Sequence, residues 1–193
     1  MKGYIFVSPG SDPGVGRRLD DPIFGKKLTT MGGCRPDLRR YVRPGDRLFV
    51  ISGKVKGVSQ YIIGGFAVDE KINALAAHAR FPQMRLKHVD GEKVGNILVD
   101  SSGHHHELDH HPNKNFERRI ENYIIGRDQV YIETPKEILL ARERSLEILK
   151  NVFGKTRAMR ISEIVRRNAS LDEKQITKLL DALQEIKTEA ASV

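Results

Sequence analysis

The stretch LTTMGGCRPDLRRYVRPGDRLFVISG, residues 28 to 53, gathers the chain's one cysteine, two adjoining glycines and three closely spaced arginines ahead of an apolar run. Pro36 suits the first turn of a helix, where its missing amide needs no partner. On such a helix Arg35 and Arg39 stand four residues apart with Arg40 next, so at least two guanidiniums can share one side. Gly32 and Gly33 permit positive backbone torsions and leave their amides unshielded by side chains. Open amides, a helix start and clustered guanidiniums together suit an anion such as phosphate. The same residues equally fit a strand connection whose arginines are merely solvated. Cys34 can line such a site as a small polarizable wall. A nucleophilic role needs arginine to lower its pKa, and no histidine lies near it in sequence to act as a base.

A second cluster, GHHHELDHHP at residues 103 to 112, holds five of the seven histidines. Within it, His106 to His110 reads H-E-L-D-H, the form in which two histidines one turn apart grip zinc and the glutamate serves as base. That pattern works on a long docked helix with a third ligand downstream. Here the flanks, Ser101-Ser102-Gly103 and His111-Pro112-Asn113, are turn signals. The segment therefore reads as a polar, partly protonated loop, with His106 and His110 as the alternative metal ligands. No cofactor is expected.

The 193 residues carry a formal charge of +8, and its distribution is uneven. From Arg17 to Lys56 there are eleven basic residues against four acids, so this stretch alone carries +7. A concentrated positive field attracts polyanions, nucleic acid first among them. With 39% hydrophobic and 30% charged residues the composition is globular and excludes a disordered chain. No apolar stretch reaches the ~18 to 20 residues a spanning helix needs, and the start lacks the apolar core of a signal peptide, so a cytoplasmic protein without a membrane partner is expected. A single cysteine forms no internal disulfide.

The elements that must position these residues are short. Apolar and β-branched runs predict strands at 3–8, 47–52, 58–68, 95–99 and 129–133, each bounded by turn residues. Gly64 and Gly65 inside the longest run mark a bulge or bend. Helical pieces are predicted at 36–42, 73–79 and 115–125, the last from Phe116, Ile120, Tyr123 and Ile124 at helical spacing. Thr134-Pro135-Lys136-Glu137 is a capping-box start for a helix that Gly154 stops. A short helix at 161–167 and an amphipathic one after the second capping box, Ser170 to Glu173, follow. The expected fold is α+β: a small mixed β-barrel domain over residues 1–133, then a helical, helix-turn-helix-like module of three helices over residues 134–193.

The order D-x-G (Asp12, Gly14), D-P-x-F-G (Asp21 to Gly25), L-T-T-x-x-x-C-R-P-x-L-R-R (Leu28 to Arg40) and G-D (Gly45, Asp46) before an apolar strand resembles a nucleotide-modification-associated domain. GDRLFVISG followed by YIIGGFAVDEKI also resembles the paired strands of PUA, ASCH and EVE domains. The likeness covers roughly residues 3 to 133 and is most specific over 12 to 53. It implies a PUA-like barrel that binds nucleic acid carrying modified or flipped nucleotides, in DNA base-modification or restriction and defence systems, without catalysis. The nucleotide-binding residues it implies are Asp12, Thr30, Gly33, Cys34, Arg35, Arg39, Arg40 and Asp46. Arg35, Arg39 and Arg40 would contact phosphate or a base edge; Asp46 would orient an arginine, accept from an exocyclic amine, or serve only as a turn residue. The chain departs from relatives with an aromatic cage in having no tryptophan, leaving Tyr4, Phe6, Phe24, Tyr41, Phe49, Tyr61 and Phe66 to stack on a base. Alternatives are a nucleotide-modifying or metal-dependent hydrolytic enzyme using the histidine loop, and a ligand-sensing transcriptional regulator. A homodimer through the C-terminal helices is a further expected partner.

Overall fold

In the computed structural model, which describes residues 1–192, apolar and β-branched runs become strands and the two capping boxes start the long helices. In chain order the elements are β1 (Gly3–Val7), β2 (Ile23–Phe24), β3 (Thr29–Met31), α1 (Pro36–Tyr41), β4 (Arg47–Ile51), β5 (Ile62–Ile72), α2 (Ala74–Arg80), β6 (Lys87–Val89) and β7 (Glu92–Val94). They continue with α3 (Phe116–Ile120), β8 (Tyr123–Tyr131), α4 (Pro135–Phe153), α5 (Ile161–Ile164), β9 (Asn168–Leu171) and α6 (Glu173–Ala191). The fold is mixed α+β. Among the described residues no helix is long and apolar enough to cross a membrane.

The chain forms two compact units. The first comprises Met1–Leu19, Gly45–Ala67 and the chain from Asp128 onward; the second comprises Asp20–Pro44 and Val68–Arg127. This division differs from a boundary at residue 134. The physical reason within the first unit is β9, which pairs antiparallel with β1 from Gly3↔Leu171 to Phe6↔Asn168, so the C-terminal segment supplies a strand to the N-terminal sheet. Residue 193, the last of the expected module, lies outside the described residues.

In the first unit β1 also pairs in parallel with β4, and β4 pairs antiparallel with β5. The register between β4 and β5 jumps from Val50↔Gly64 to Ile51↔Ile62, a bulge at Ile63 just before the paired glycines, which themselves pair in register with Val50 and Phe49. Side chains are excluded there: a Cβ on Gly64 would strike the Val130 carbonyl oxygen, and one on Gly65 the Phe49 ring. The hydroxyl of Ser145, buried in α4, accepts the Ile62 amide at 2.9 Å beside this irregularity. Helix α4 packs on α6, whose buried Ile176, Leu179, Leu183 and Ile186 recur every three to four residues along one stripe. Thr134 and Glu137 close the capping box of α4 reciprocally, and Asp172 and Gln175 do the same for α6. The cap of α6 is thus Asp172 rather than Ser170, which lies in β9. Between the two long helices stand α5, a single turn, and the strand β9.

In the second unit β3 pairs antiparallel with β2 and with the start of β8, while β6 and β7 form a separate hairpin. Its core gathers Ala74, Ala77, Phe81, Ile97, Val99, Tyr123 and Ile125. The helix predicted over 115–125 ends at Ile120. Tyr123-Ile124-Ile125 is a β-branched and aromatic run, buried as strand against Thr29 to Met31, and that pairing outweighs the helical spacing. Residues 95–99 form no strand, only isolated bridges at Ile97 and Val99.

Candidate nucleic-acid interface

The glycine loop is built around an anion, and the anion is the protein's own. Asp21, in the second unit, is 4% exposed, and its carboxylate accepts the amides of Gly32 at 2.9 Å, Gly33 at 3.0 Å and Cys34 at 2.5 Å. Asn96 Nδ2 adds a fourth donor at 2.9 Å and also reaches Thr30, while its Oδ1 accepts the Tyr123 hydroxyl at 2.8 Å. The amides expected to cradle a phosphate are therefore already filled. Neither glycine is needed for a positive φ; the left-handed residue is Arg35, at φ 52°. Gly32 is required by packing, because a Cβ there would collide with the Asn96 carbonyl and the Tyr123 ring.

Arg39 is fully buried and belongs to this network rather than to the surface. Its guanidinium donates to the carbonyls of Cys34 at 2.8 Å, Arg119 at 3.0 Å, Gly33 at 3.5 Å and Asn122. Arg119 Nη1 reaches the Gly33 carbonyl as well, at 2.5 Å. Burial lowers the Arg39 pKa to about 10, opposed by the charge of Asp21, which leaves it protonated at neutral pH. Burial likewise raises the Asp21 carboxyl, against the pull of Arg39, the loop amides and Asn96. The structure places Arg39 inside the fold, its guanidinium donating to four backbone carbonyls, rather than at the surface where a phosphate contact was expected. Burial first, then the charge of Asp21, push the Cys34 thiol up to about 12, the reverse of what arginine neighbours alone would do.

The other expected residues fall in different places. Arg35 lays Nε and Nη2 on the Asp37 carboxylate at 3.0 and 2.8 Å, so its fork already holds a carboxylate. Thr30 is buried against Asn96, and Gly33 beneath it in the network presents its amide to Asp21. Asp46, in the first unit, accepts the Lys2 amide at 3.0 Å and so ties the turn before β4 to β1. Arg40 is exposed, and between it and exposed Arg43 stands Tyr41, 66% exposed. Lys71 Nζ holds this segment from behind, donating to the carbonyls of Arg40 and Val42 at 3.0 Å each. Of the seven aromatic candidates Phe6, Phe49, Tyr61 and Phe66 are fully buried and Tyr4 and Phe24 half-buried, so Tyr41 is the exposed one, and it stands among basic side chains.

Asp12, in the first unit, is also buried, and takes the Gly14 amide at 3.1 Å and the Arg142 guanidinium at 2.5 Å on Oδ1. Arg142 lies over the Tyr61 ring, 4.8 Å from its centroid. Two buried atoms of this group, Asp12 Oδ2 and the Tyr61 hydroxyl, have no hydrogen-bond partner. Burial and the nearby Asp12 push the Tyr61 phenol up to about 12.

The histidine segment is a loop, and H-E-L-D-H is not helical. Asp109 organises it, meeting His105 Nε2 at 2.6 Å and His111 Nδ1 at 2.5 Å, while His105 packs on Phe116. Burial raises the Asp109 carboxyl, but the two imidazoles outweigh that and hold it below its ordinary value. His106 accepts the Leu108 amide on Nδ1 at 3.2 Å, and His110 is exposed. Among the described residues no group of three or more histidine, cysteine, aspartate or glutamate side chains is arranged to hold a metal.

Residue types alone do not single out Asp21, Asn96, Arg119 or Tyr123. The one signal in the chain is Asp21 at the head of the D-P-x-F-G segment. No protein-family model matches the chain, and no curated protein does. Among solved structures it is similar to human THYN1 protein in complex with 5-methylcytosine containing DNA, over 95% of this chain and 98% of that one, at 13% identity and a TM-score of 0.38. A likeness at that score carries no weight for function.

Proposed function

We propose that this protein binds nucleic acid and recognises modified or flipped nucleotides through a PUA-like barrel, in a DNA base-modification or defence setting. The observation that carries the reading is the exposed Arg40-Tyr41-x-Arg43 segment in the second unit. Guanidiniums neutralise phosphates, and an exposed ring between them offers a face on which a base can stack. The buried network of Asp21, Arg39 and the glycine loop serves as its footing: it fixes α1 and thereby the direction in which Arg40 and Tyr41 point. Exposed Lys26 and Lys27 in the same unit add to the positive field. The motif resemblance over residues 12 to 53 supports the modified-base part.

The test is an affinity screen of single-stranded and duplex oligonucleotides that differ only in one base modification. At least one modified base should bind about tenfold tighter than its unmodified parent. Equal affinities across the panel would remove the reader function. Tyr41→Ala should weaken single-strand binding roughly tenfold, the worth of one stacked base. Unchanged affinity in that variant would show that the ring does not stack.

A further inference from the structure

We infer that the first unit carries a second phosphodiester-binding surface, at the groove that follows α4; the inference rests on the nucleic-acid reading and adds a contact that the N-terminal basic stretch does not supply. Between Gly154 and Asn168 the chain holds five basic residues and one acid, Glu163. That acid is already committed, accepting the Met159 amide at 2.9 Å and Arg160 Nε at 3.0 Å. Lys155 Nζ spans the groove wall to the carbonyls of Glu163 and Ile164, at 3.3 and 3.1 Å, which leaves its charge without an acid. Exposed Arg157 and Arg166 make no ion pair among the described residues.

These side chains line two adjoining hollows that share Lys155 and Glu163. One, of about 840 Å³, includes Arg160, Ser162, Arg166 and Asn168; the other, of about 440 Å³, includes Thr156 and Arg157. The lining combines cations with hydroxyl and amide donors, the set that contacts sugar-phosphate backbone without reading bases. Met159, 76% exposed and standing between Arg157 and Arg160, gives this rim an apolar point for a sugar or base face. An acidic peptide would be drawn by the charge too, but the apolar side chains that line the hollows, Ile164 and Ala158, are buried and offer it no anchor. The structure therefore favours nucleic acid, whose repeated phosphates need only spaced cations.

The experiment measures binding of the full chain to a random-sequence duplex by fluorescence anisotropy across a salt series, for wild type, Arg157→Ala/Arg166→Ala and Arg40→Ala/Arg43→Ala. All four side chains are exposed, so melting should be unchanged and is checked first. The Arg157/Arg166 variant should lose about tenfold in affinity and about two units of salt slope, by the same factor on modified and unmodified DNA. Wild-type affinity and slope in that variant would overturn this surface. If instead only the Arg40/Arg43 variant behaves as wild type, the proposed recognition face fails while this surface stands. Absence of duplex binding by the wild type would overturn this surface, while the recognition face is judged by the modified-base panel.

Discussion

Replacing Asp21 by asparagine should cost the protein about 3–5 kcal/mol of folding stability, measured by urea denaturation with circular dichroism. The carboxylate takes the Gly32 amide and Asn96 Nδ2 on Oδ1 and the amides of Gly33 and Cys34 on Oδ2. An asparagine presents one oxygen and one amino group, so whichever way it turns, buried donors face donors. The substitution also removes the charge opposite fully buried Arg39, which then stands as an uncompensated ion. Breaking one side of a buried charge pair is costly for that reason, even where replacing both partners would not be. Arg39→Leu should destabilise by a similar amount, since it takes the guanidinium from the carbonyls of Cys34, Arg119 and Asn122 and the counter-charge from buried Asp21. The double variant should lose less than the sum, because the two changes remove one shared interaction. A loss under about 1 kcal/mol for Asp21→Asn would mean the loop amides are satisfied in another way.

Cys34 should be almost inert in the native protein and reactive once unfolded. With the thiol raised from 9.0 to about 12 in the fold, the thiolate fraction near pH 8 falls by about a thousandfold. Iodoacetamide labelling followed by mass spectrometry, native against urea-unfolded, reads the difference directly. The rate should rise by roughly that factor on unfolding. Comparable rates would show that the loop opens readily or that the arginines outweigh burial and Asp21 at the thiol. An inert thiol also removes the one nucleophile that the glycine-loop segment offered.

The site's location is more legible in the sequence than its wiring. Clustered arginines, paired glycines and a lone cysteine mark residues 28 to 47 as unusual, and α1 does begin at Pro36. What residue spacing does not show is which arginine points inward. Arg35, Arg39 and Arg40 look interchangeable along the chain, yet Arg39 meets four carbonyls, two of them from residues 119 and 122, at least eighty positions away. The glycine amides are opaque for the same cause: their anion, Asp21, comes from an earlier segment. The capping box at Thr134 is legible because it is local, the start of α6 is legible to within two residues of its cap, and the irregularity in β5 is legible to within one residue because glycine pairs inside a strand have few other uses. Strand β9 is not, since Asn-Ala-Ser-Leu has weak β-propensity and exists as strand only by pairing with β1. Tyr123 and Ile124 fall at helical spacing by coincidence, and sheet pairing decides their state.

On the proposed reading Arg40 and Arg43, flanking Tyr41, meet phosphate while Arg39 stays inside. A salt titration of duplex affinity for Arg40→Ala/Arg43→Ala against wild type tests it most directly. The slope of log affinity against log salt should fall by about two, with unchanged melting. A slope equal to the wild type's would contradict it.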